Sequence, residues 1–524
     1  MKHLLILLAL TAGPAFADGI ADHGDDLFER EHTEFKVSGY FRVRGDLLNN
    51  LDLDRGLTPS GKPLFAVPLS DPNGQTLYDA DMRLRTNVAI YAPFAAAAVK
   101  IQADLIDNLV LGSTPVLSPG TGNEPTPAAT PGQLPNSLLR IKRAYGEILT
   151  PIGYFAAGRM GNGWGLGLYA NSGDCLDCNH GDNADRVVFV TSLVGHLWAV
   201  AYDFSAVGPL ANRNDGTQLI LDPSTNVHSV TFAFMNLKDD HTRKRRRLAE
   251  RLTAEYGLFG AYRWQDNDVP AAYLSTTTSV PITPSSVMHR GYKAGVIDAW
   301  LRVMGASFKV EAEASVVLAN VEQTSLLPGV LLRDQVQAFQ YGGAVESQFG
   351  APESRIVGGV NLGLASGDPA PGFGANPGSS TTQTPGELDG PQVSVPRDTR
   401  LDNFRYSPDY RIDRILFAQI IGTVTDAYWV KPWARARLLE FSSYQLTANV
   451  DGTLTRAQYA SSTPGNDAML GLELHAALTW ASKDGFDVMA EYAVLFPFAG
   501  FDNPAMNLKA QPAQLARVRL AWRF

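Results

Sequence analysis

The chain has 524 residues, with 44 lysines and arginines against 53 aspartates and glutamates, and its formal net charge is −9 at pH 7. This acidic balance argues against a nucleic-acid partner, because such partners bind an excess of positive charge. The length exceeds one ordinary soluble core, while the charged fraction of only 19%, the 48 glycines and the 32 prolines suit a protein of many strands and turns.

The first residues have the pattern of a secretory signal. A basic start at Lys2 is followed by an apolar run over residues 4–10 and by Ala15-Phe16-Ala17, which is a typical cleavage site. The run is too short to span a bilayer, and a buried N-terminal helix is the alternative. We therefore predict a signal peptide over residues 1–17 and a short periplasmic N-terminal segment over residues 18–33.

From residue 34 onward, apolar and polar residues alternate with a period of two, which predicts strands. We count about 18, with 16–18 as the range for the barrel. The predicted strands lie near residues 34–48, 80–92, 96–109, 138–149, 152–160, 185–192, 195–204, 226–237, 251–265, 289–302, 306–320, 332–348, 354–366, 425–435, 440–450, 468–481, 485–497 and 513–524.

Short and long connections alternate between these strands. Tight turns near 92–95, 150–153 and 349–352 contrast with long segments such as 110–137 and 367–424. Barrels of the outer membrane have short periplasmic turns and long external loops, whereas soluble sandwiches do not require this alternation. We predict an all-β fold. It is a single transmembrane antiparallel up-and-down β-barrel over residues 34–524, whose largest external loop is 367–424, in the outer membrane of a Gram-negative bacterium.

The final strand supports this class. One face is apolar and the other is basic, with Leu520, Trp522 and Phe524 opposite Arg517, Arg519 and Arg523. The segment resembles the C-terminal signal of outer-membrane barrels, which ends in an aromatic residue, and the resemblance implies recognition by the barrel-assembly machinery. The alternative is the last strand of a soluble sandwich, whose arginines would need water or partners.

The same alternation predicts a basic barrel interior. The inward-facing cations are Arg42, Arg44, Arg83, Arg85, Arg140, Lys142, Arg435, Arg437, Arg517 and Arg519. Because the last strand of a closed barrel pairs with the first, Arg42 and Arg44 should neighbour Arg517 and Arg519. Two interpretations remain open. The cations form an anion-attracting constriction, or they form a salt-bridged wall with acidic residues such as Glu311 and Glu473.

Two short motifs carry a further resemblance. Ala157-Gly158-Arg159 and Gly163-Trp164-Gly165, with the strand count and the basic interior, resemble the alginate-export type of porin. That family has an 18-stranded barrel whose arginine- and lysine-rich interior conducts an anionic polysaccharide. The resemblance implies a porin and adds Arg159 to the interior cations. The chain departs from the family in its cysteine pair and in a strongly basic turn.

The loop 367–424 contains a predicted amphipathic helix. Ser407 and Pro408 form a helix start, apolar residues follow at helical spacing at Ile412, Ile415, Leu416 and Ile420, and Gly422 is a stop. Such a helix must bury its apolar face. We predict either that it folds into the barrel mouth and narrows it, or that it packs on other external loops.

Cys175 and Cys178 lie in a distinctive acidic segment. Asn179 separates the second cysteine from His180, which excludes haem attachment. Three interpretations remain: a small disulfide loop, a zinc site with Cys175, Cys178 and His180, or a calcium site that uses Asp177, Asp182 and Asp185. The disulfide is favoured, and no cofactor is predicted apart from the possible calcium.

The basic run 243–247 is placed in a periplasmic connection, where it could hold anionic headgroups but is better interpreted as a solvated charge run. The hydrolase, metalloprotease and phosphate-loop motifs that we sought are absent from the sequence, so no enzyme is predicted. The first functional hypothesis is a porin-like channel for passive diffusion of small polar or anionic solutes. The second is a non-conducting surface barrel whose loops bind a partner, and a lipid-modifying enzyme ranks last. Outer-membrane lipid and lipopolysaccharide are the expected surroundings.

Overall fold

The computed structural model of the chain describes residue 20 and residues 24–68, 75–111, 139–205, 223–269, 284–325, 330–373 and 382–524. The predicted signal peptide over residues 1–17 lies outside these residues. The described strands are β1 (Glu34–Asn49), β2 (Thr76–Tyr91), β3 (Ala97–Val110), β4 (Arg140–Thr150), β5 (Gly153–Gly161), β6 (Asn183–Leu193), β7 (His196–Ser205), β8 (Val227–Asn236), β9 (Thr253–Asp268), β10 (Met288–Met304), β11 (Phe308–Val321), β12 (Val336–Phe349), β13 (Ile356–Ala365), β14 (Ala427–Glu440), β15 (Tyr444–Ala457), β16 (Met469–Ser482), β17 (Phe486–Pro497) and β18 (Ala513–Arg523).

Each strand pairs antiparallel with the next along the chain, and β18 closes the sheet against β1. The predicted fold class, an antiparallel β-barrel of 18 strands, is confirmed. Closure satisfies the backbone of the last strand, because the amide and carbonyl of Phe524 exchange hydrogen bonds of 3.0 and 2.9 Å with Gly39. The barrel therefore has no open sheet edge between its first and last strands.

The two ends of the barrel differ. Both Glu34 and Phe524 lie at the end where short connections join the strands, and we call this end the turn rim. The long connections, including 162–182 and 366–426, belong to the opposite end, the loop rim. Alternation then separates the faces: Val518, Leu520 and Trp522 are exposed outside, whereas Arg517 and Arg519 are buried inside.

The basic run 243–247 lies in a helix, α1 (Asp240–Leu248), at the turn rim. The side chain of Asp239 caps it by accepting a hydrogen bond of 2.7 Å from the amide of Thr242. Arg243 contacts Glu255 at 2.8 Å, and Arg247 contacts Glu353 at 2.6 Å. Two of the five cations are therefore tied to carboxylates of the barrel, so the run is not simply solvated. No α-helix in the described part of the chain has the length and apolarity needed to cross a membrane.

The helix predicted from Ser407 is wrong in its extent. Only a short π-helix forms, over Leu416–Ile421, and it ends as expected at Gly422, whose φ of 95° is left-handed. The physical reason is Asp413, whose carboxylate accepts hydrogen bonds from the amides of Phe417 and Ala418 at 3.0–3.1 Å. Glu473 accepts the amide of Leu416, so the two carboxylates together satisfy the first free amides of the π-helix, and helical structure begins there and not at the Ser-Pro pair.

Further 3₁₀ turns of three residues occur in the long connections. They span Pro223–Thr225, Pro284–Ser286, Ala460–Ser462 and Ala499–Phe501.

Candidate functional site in the barrel interior

The predicted basic wall forms where the barrel closes. Arg44 on β1 lies opposite Arg519 on β18, and Arg42 lies opposite Arg83 on β2. These guanidinium groups are almost fully buried, as is that of Arg85. Five arginines so close together require negative partners, because unpaired charges in a dry interior are very costly.

Carboxylates of these strands and of the neighbouring β3 and β17 supply those partners. Asp81 lies between Arg42 and Arg44, with contacts of 2.5 and 2.7 Å. The other pairs join Asp104 to Arg85 at 2.7 Å, Asp107 to Arg83 at 3.1 Å, Asp46 to Arg517 at 2.6 Å, and Asp487 to Arg519 at 2.6 Å. The arrangement has the features of the salt-bridged wall, the alternative that the sequence left open.

A segment of the loop rim folds inward against this wall. We call residues 162–182 the lumen loop. Its backbone carbonyls accept hydrogen bonds from wall arginines: Arg42 to Leu176 at 2.6 Å, Arg83 to Cys178 at 2.6 Å, Arg85 to Gly173 at 2.9 Å, and Arg143 to Ser172 at 2.7 Å. Three of these four arginines, Arg42, Arg83 and Arg85, were predicted from the sequence to face the interior, and they hold a loop in place.

The cysteine pair lies within the lumen loop. Cys175 and Cys178 form a disulfide with an S–S distance of 1.94 Å. The thiols are thus not available as zinc ligands in this state, and Cys178 is buried. The disulfide closes a tight turn whose carbonyls face the arginines of the wall.

The structure does not bring the three candidate calcium ligands together. Asp177 pairs with Arg519 inside the barrel, Asp182 accepts a hydrogen bond of 3.0 Å from the amide of Asn171, and Asp185 pairs with Arg159 at 2.7 Å on β5. Within the described ranges, no group of three acidic, cysteine or histidine side chains is placed to hold a metal ion. The suggested calcium site is therefore not formed by these carboxylates.

A bulge changes which cations of β4 face inward. The register between β3 and β4 shifts between Gln102 and Ala103, so that Arg143 lies opposite Gln102 and is fully buried. A prediction that continues the alternation of inward and outward side chains from Arg140 and Lys142 places Arg143 on the outer face, which is wrong. Both predicted cations still reach the interior at the loop rim, where Arg140 contacts Asp107 at 3.2 Å and Lys142 donates to the carbonyl of His180 at 3.2 Å.

The remaining predicted cations lie away from the basic wall. Along β5 the side chain of Arg159 points to the outer face, whereas that of the next residue, Met160, is buried inside. The ion pair of Arg159 with Asp185 is half-exposed at the loop rim. Its side chain nevertheless lines the interior cavity beside Arg140 and Lys142, so its assignment to the interior cations stays a prediction. Arg435 and Arg437 face inward on β14 near the turn rim, where Arg437 contacts Glu440 at 2.7 Å.

A buried carboxylate on the far wall anchors the lumen loop at its other end. Glu313 on β11 accepts hydrogen bonds from four consecutive backbone amides, including those of Gly167 at 3.0 Å and Leu168 at 3.2 Å. Beside it, Asp298 accepts a hydrogen bond of 3.0 Å from the indole of Trp164. The lumen loop thus spans the barrel interior from the basic wall to β10 and β11.

A second segment fills the interior beside β12–β17, and we call residues 401–426 the plug segment. Its Ile412, Ile415 and Phe417 are buried in one cluster with inward residues of the barrel and with apolar residues of other loops. The apolar residues of this segment therefore enter the barrel interior and also pack on other loops, which are the two placements predicted from the sequence. Glu473 on β16 accepts hydrogen bonds from the amides of residues 414–416 at 2.6–3.2 Å.

The N-terminal segment closes part of the turn rim. Leu27 is buried in a cluster with Tyr91 and Tyr154 of the barrel. The carboxylate of Asp26 accepts a hydrogen bond of 2.7 Å from the hydroxyl of Tyr91 and contacts the ammonium of Lys100 at 3.0 Å. The described part of the segment, residue 20 and residues 24–33, packs at the barrel mouth.

An open cavity of about 820 Å³ remains between the lumen loop and strands β4–β11. One side of this cavity is lined by Arg140, Lys142 and Arg186. The other side is lined by small apolar residues such as Ala261 and Ala294. Arg186 is paired with Asp203 at 2.8 Å. The cavity therefore offers a polar, net basic side within a volume that fits one small solute.

Asp426 fastens the end of the plug segment to a neighbouring loop. Its buried carboxylate accepts hydrogen bonds from the amides of Gln458 and Tyr459 at 3.1 Å and from the hydroxyl of Ser462. Burial raises the pKa of Asp426 to about 7, although these hydrogen bonds lower the pKa in part. In the folded loop the protonated form of Asp426 is therefore favoured up to about pH 7, well above the ordinary pKa of 3.8.

We expect the loop cluster around Asp426 to weaken as the pH rises. The folded-state pKa exceeds the ordinary value of 3.8, so this contribution to stability is complete below about pH 4 and is lost as the pH rises through about 7. Hydrogen exchange of the amides of residues 458–462 should quicken over that range, and Asp426→Asn should flatten the dependence. The exposed Asp467→Asn is the control, and an equal pH dependence in Asp426→Asn would contradict the assignment.

The closed barrel with an occupied interior defines the class of protein, an 18-stranded β-barrel of the transmembrane type. No protein-family model and no curated protein sequence matches the chain. Several solved structures are similar to it. DcaP, an outer-membrane channel of Acinetobacter baumannii, is 11% identical, covers 95% of this chain and 99% of its own, and has a TM-score of 0.38.

Two proteins of Pseudomonas aeruginosa are also similar. OprD is 8% identical, with 97% of this chain and 99% of OprD covered and a TM-score of 0.45. The outer membrane protein opdK is 8% identical, with 94% and 98% covered and a TM-score of 0.44. At these identities the similarity is one of fold alone, so it transfers no residue role to this chain.

Proposed function

We propose that this chain is an outer-membrane channel for passive diffusion of small polar or anionic solutes. One observation carries the proposal: an open cavity of about 820 Å³ remains inside a closed barrel, with Arg140, Lys142 and Arg186 along one side. Positive charge at a constriction attracts anions and repels cations. The exposed apolar outer face, the predicted signal peptide and the aromatic C-terminal residue support insertion in the outer membrane of a Gram-negative bacterium, with the turn rim in the periplasm.

The pathway follows the β4–β11 side of the interior and not the arginines near the barrel closure. Those arginines are bound to carboxylates and to the lumen loop. The occupied interior favours a small solute over the anionic polysaccharide that the alginate-export resemblance implies. Lipopolysaccharide and phospholipid then surround the barrel, and the barrel-assembly machinery recognises β18.

Ion selectivity in a planar lipid bilayer tests the proposal. The double variant Arg140→Gln, Lys142→Gln should lower the ratio of anion to cation permeability, because it removes two positive side chains from the edge of the cavity. Lys509→Gln, at an exposed site of the same rim, is the matched control and should leave the ratio unchanged. Cation selectivity of the unmodified protein would contradict the role given to these residues.

A second candidate, a non-conducting barrel whose loops bind a partner, is favoured by the three segments that occupy the interior: residues 24–33, the lumen loop and the plug segment. It predicts no conductance of the intact protein at any voltage. Such a result would overturn the channel proposal.

A further inference from the structure

A groove of about 700 Å³ crosses the outer face of the barrel on the loop-rim half of β9–β12. Its apolar walls are Tyr262, Leu318 and Phe339, which are 49%, 54% and 45% exposed. Between them lies Gly295, where an added Cβ would meet no atom within 4 Å. The groove is therefore an open slot in the face that meets lipid.

The strand register arranges this groove in rows. Gly295 lies opposite Tyr262 on β9 and Leu318 on β11, and Leu318 lies opposite Phe339 on β12. One step nearer the loop rim, about 7 Å away for two residues of a strand, the next row is polar. From β10 onward it consists of Lys293, Asn320, Gln337 and Arg400, and on the other side Lys293 lies opposite Trp264 of β9.

Arg400 belongs to a strap of the loop 366–426 that extends the sheet. The amide of Gln337 donates to the carbonyl of Thr399 at 2.9 Å, and the amide of Leu401 donates to the carbonyl of Gln337 at 2.9 Å. The strap thus occupies the position beside the upper part of β12, where the paired residues of β13 do not reach. Its arginine becomes the far end of the polar row.

The polar part of this row has a cation at each end, Lys293 and Arg400. No described residue forms an ion pair or hydrogen bond with the exposed ammonium of Lys293. Arg400 is half-exposed, and its guanidinium group forms an ion pair with the carboxylate of Asp402 at 2.9 Å. Glu322, another acid near this row, contacts His289 at 3.1 Å. Two exposed cations therefore lie directly above an apolar slot, which is the charge pattern complementary to an anionic amphiphile.

We propose that this groove binds a phosphorylated, acylated glycolipid of the outer leaflet. An acyl chain lies over Gly295 between Tyr262 and Phe339, and a phosphate group lies against Lys293 and Arg400. The geometry selects this source because the cations lie on the loop-rim side of the apolar row, at the level of the external headgroups. The inference rests on the proposed membrane location but not on conductance, so a failure of either can be recognised separately.

Native mass spectrometry with added purified lipid A tests the site. Lys293→Gln and Arg400→Gln should each weaken the tightest binding event by about tenfold, the loss expected for one charge-assisted contact. Gly295→Leu should weaken it similarly, because the added side chain fills the slot. Lys483→Gln at the turn rim is the charge control and should bind as the unmodified protein does.

Gly45→Leu is the matched steric control. Gly45 also faces outward, on β1, and an added Cβ there meets no atom within 4 Å. Equal binding by Gly295→Leu and Gly45→Leu would overturn the proposal. So would binding of phosphatidylglycerol with the same affinity and the same sensitivity to the variants, because the groove would then not select the glycolipid. Heat-modifiable migration of each variant establishes that the barrel is folded.

Discussion

Replacement of residues 408–421 by a short Gly/Ser linker should raise single-channel conductance several-fold. This stretch carries most of the buried side chains of the plug segment, including Ile412, Leu416 and Phe417. Removing them opens the interior beside β12–β17 to water. Glu473, which now accepts three amide hydrogen bonds from the segment, would become hydrated, so its loss of partners should not unfold the barrel.

The control for this replacement is a Gly/Ser substitution of residues 504–509, an exposed stretch of another loop at the same rim. It should leave the conductance unchanged. If the plug replacement also leaves conductance and ion selectivity as they were, the plug segment does not obstruct the pathway. If the intact protein is closed and the replacement conducts, the non-conducting barrel is the correct function and the plug segment is what closes it.

Glu313→Ala should release the lumen loop. The carboxylate accepts hydrogen bonds from the amides of residues 166–169. Without it the amides of residues 166, 168 and 169 lose this acceptor inside the barrel, whereas the amide of Gly167 keeps the carbonyl of Trp164 at 2.8 Å. Each buried amide left without a partner costs about 1–3 kcal/mol. Hydrogen exchange at these amides should therefore quicken by roughly 10- to 100-fold, and current fluctuations should increase as the loop moves.

Glu322→Ala is the control for this variant. Glu322 follows β11 directly, but its side chain is exposed and contacts His289 at the barrel surface. Its replacement should leave the amides of residues 166–169 protected. Unchanged protection in Glu313→Ala would mean that the arginines of the basic wall hold the lumen loop without help from the far side.

The two anchors explain why the interior combines so many charges with little open space. Arginines of β1, β2 and β4 hold the backbone carbonyls of the lumen loop, and carboxylates of β11 and β16 hold the backbone amides of both loops. Loop backbone cannot be buried without such partners. The charged residues of the wall therefore substitute for the secondary structure that the loops lack.

Several features of the site were accessible from the sequence. Period-two alternation placed Arg42, Arg44, Arg517 and Arg519 on the inner face, and closure of the barrel made them neighbours, as the register of β1 and β18 shows. Arg143 was not accessible, because a bulge between β3 and β4 changes the parity at that point. The roles of Glu313 and Glu473 were equally hidden, since an inward carboxylate does not reveal which loop reaches it.

The sequence by itself determined the strands, the alternation of short and long connections, and the basic inner face at the closure of the barrel. These depend on local spacing along the chain, because successive side chains of a strand point to opposite faces. Only the tertiary structure decided what the arginines contact. They contact Asp81 on a neighbouring strand and the backbone carbonyls of residues 172–179 in the lumen loop. The loop contacts depend on how far the loop folds inward, and no local sequence pattern encodes that distance. The alternation along β18 thus predicts its inner and outer faces from the sequence alone, whereas the open side of the barrel interior became visible only once the loops were in place.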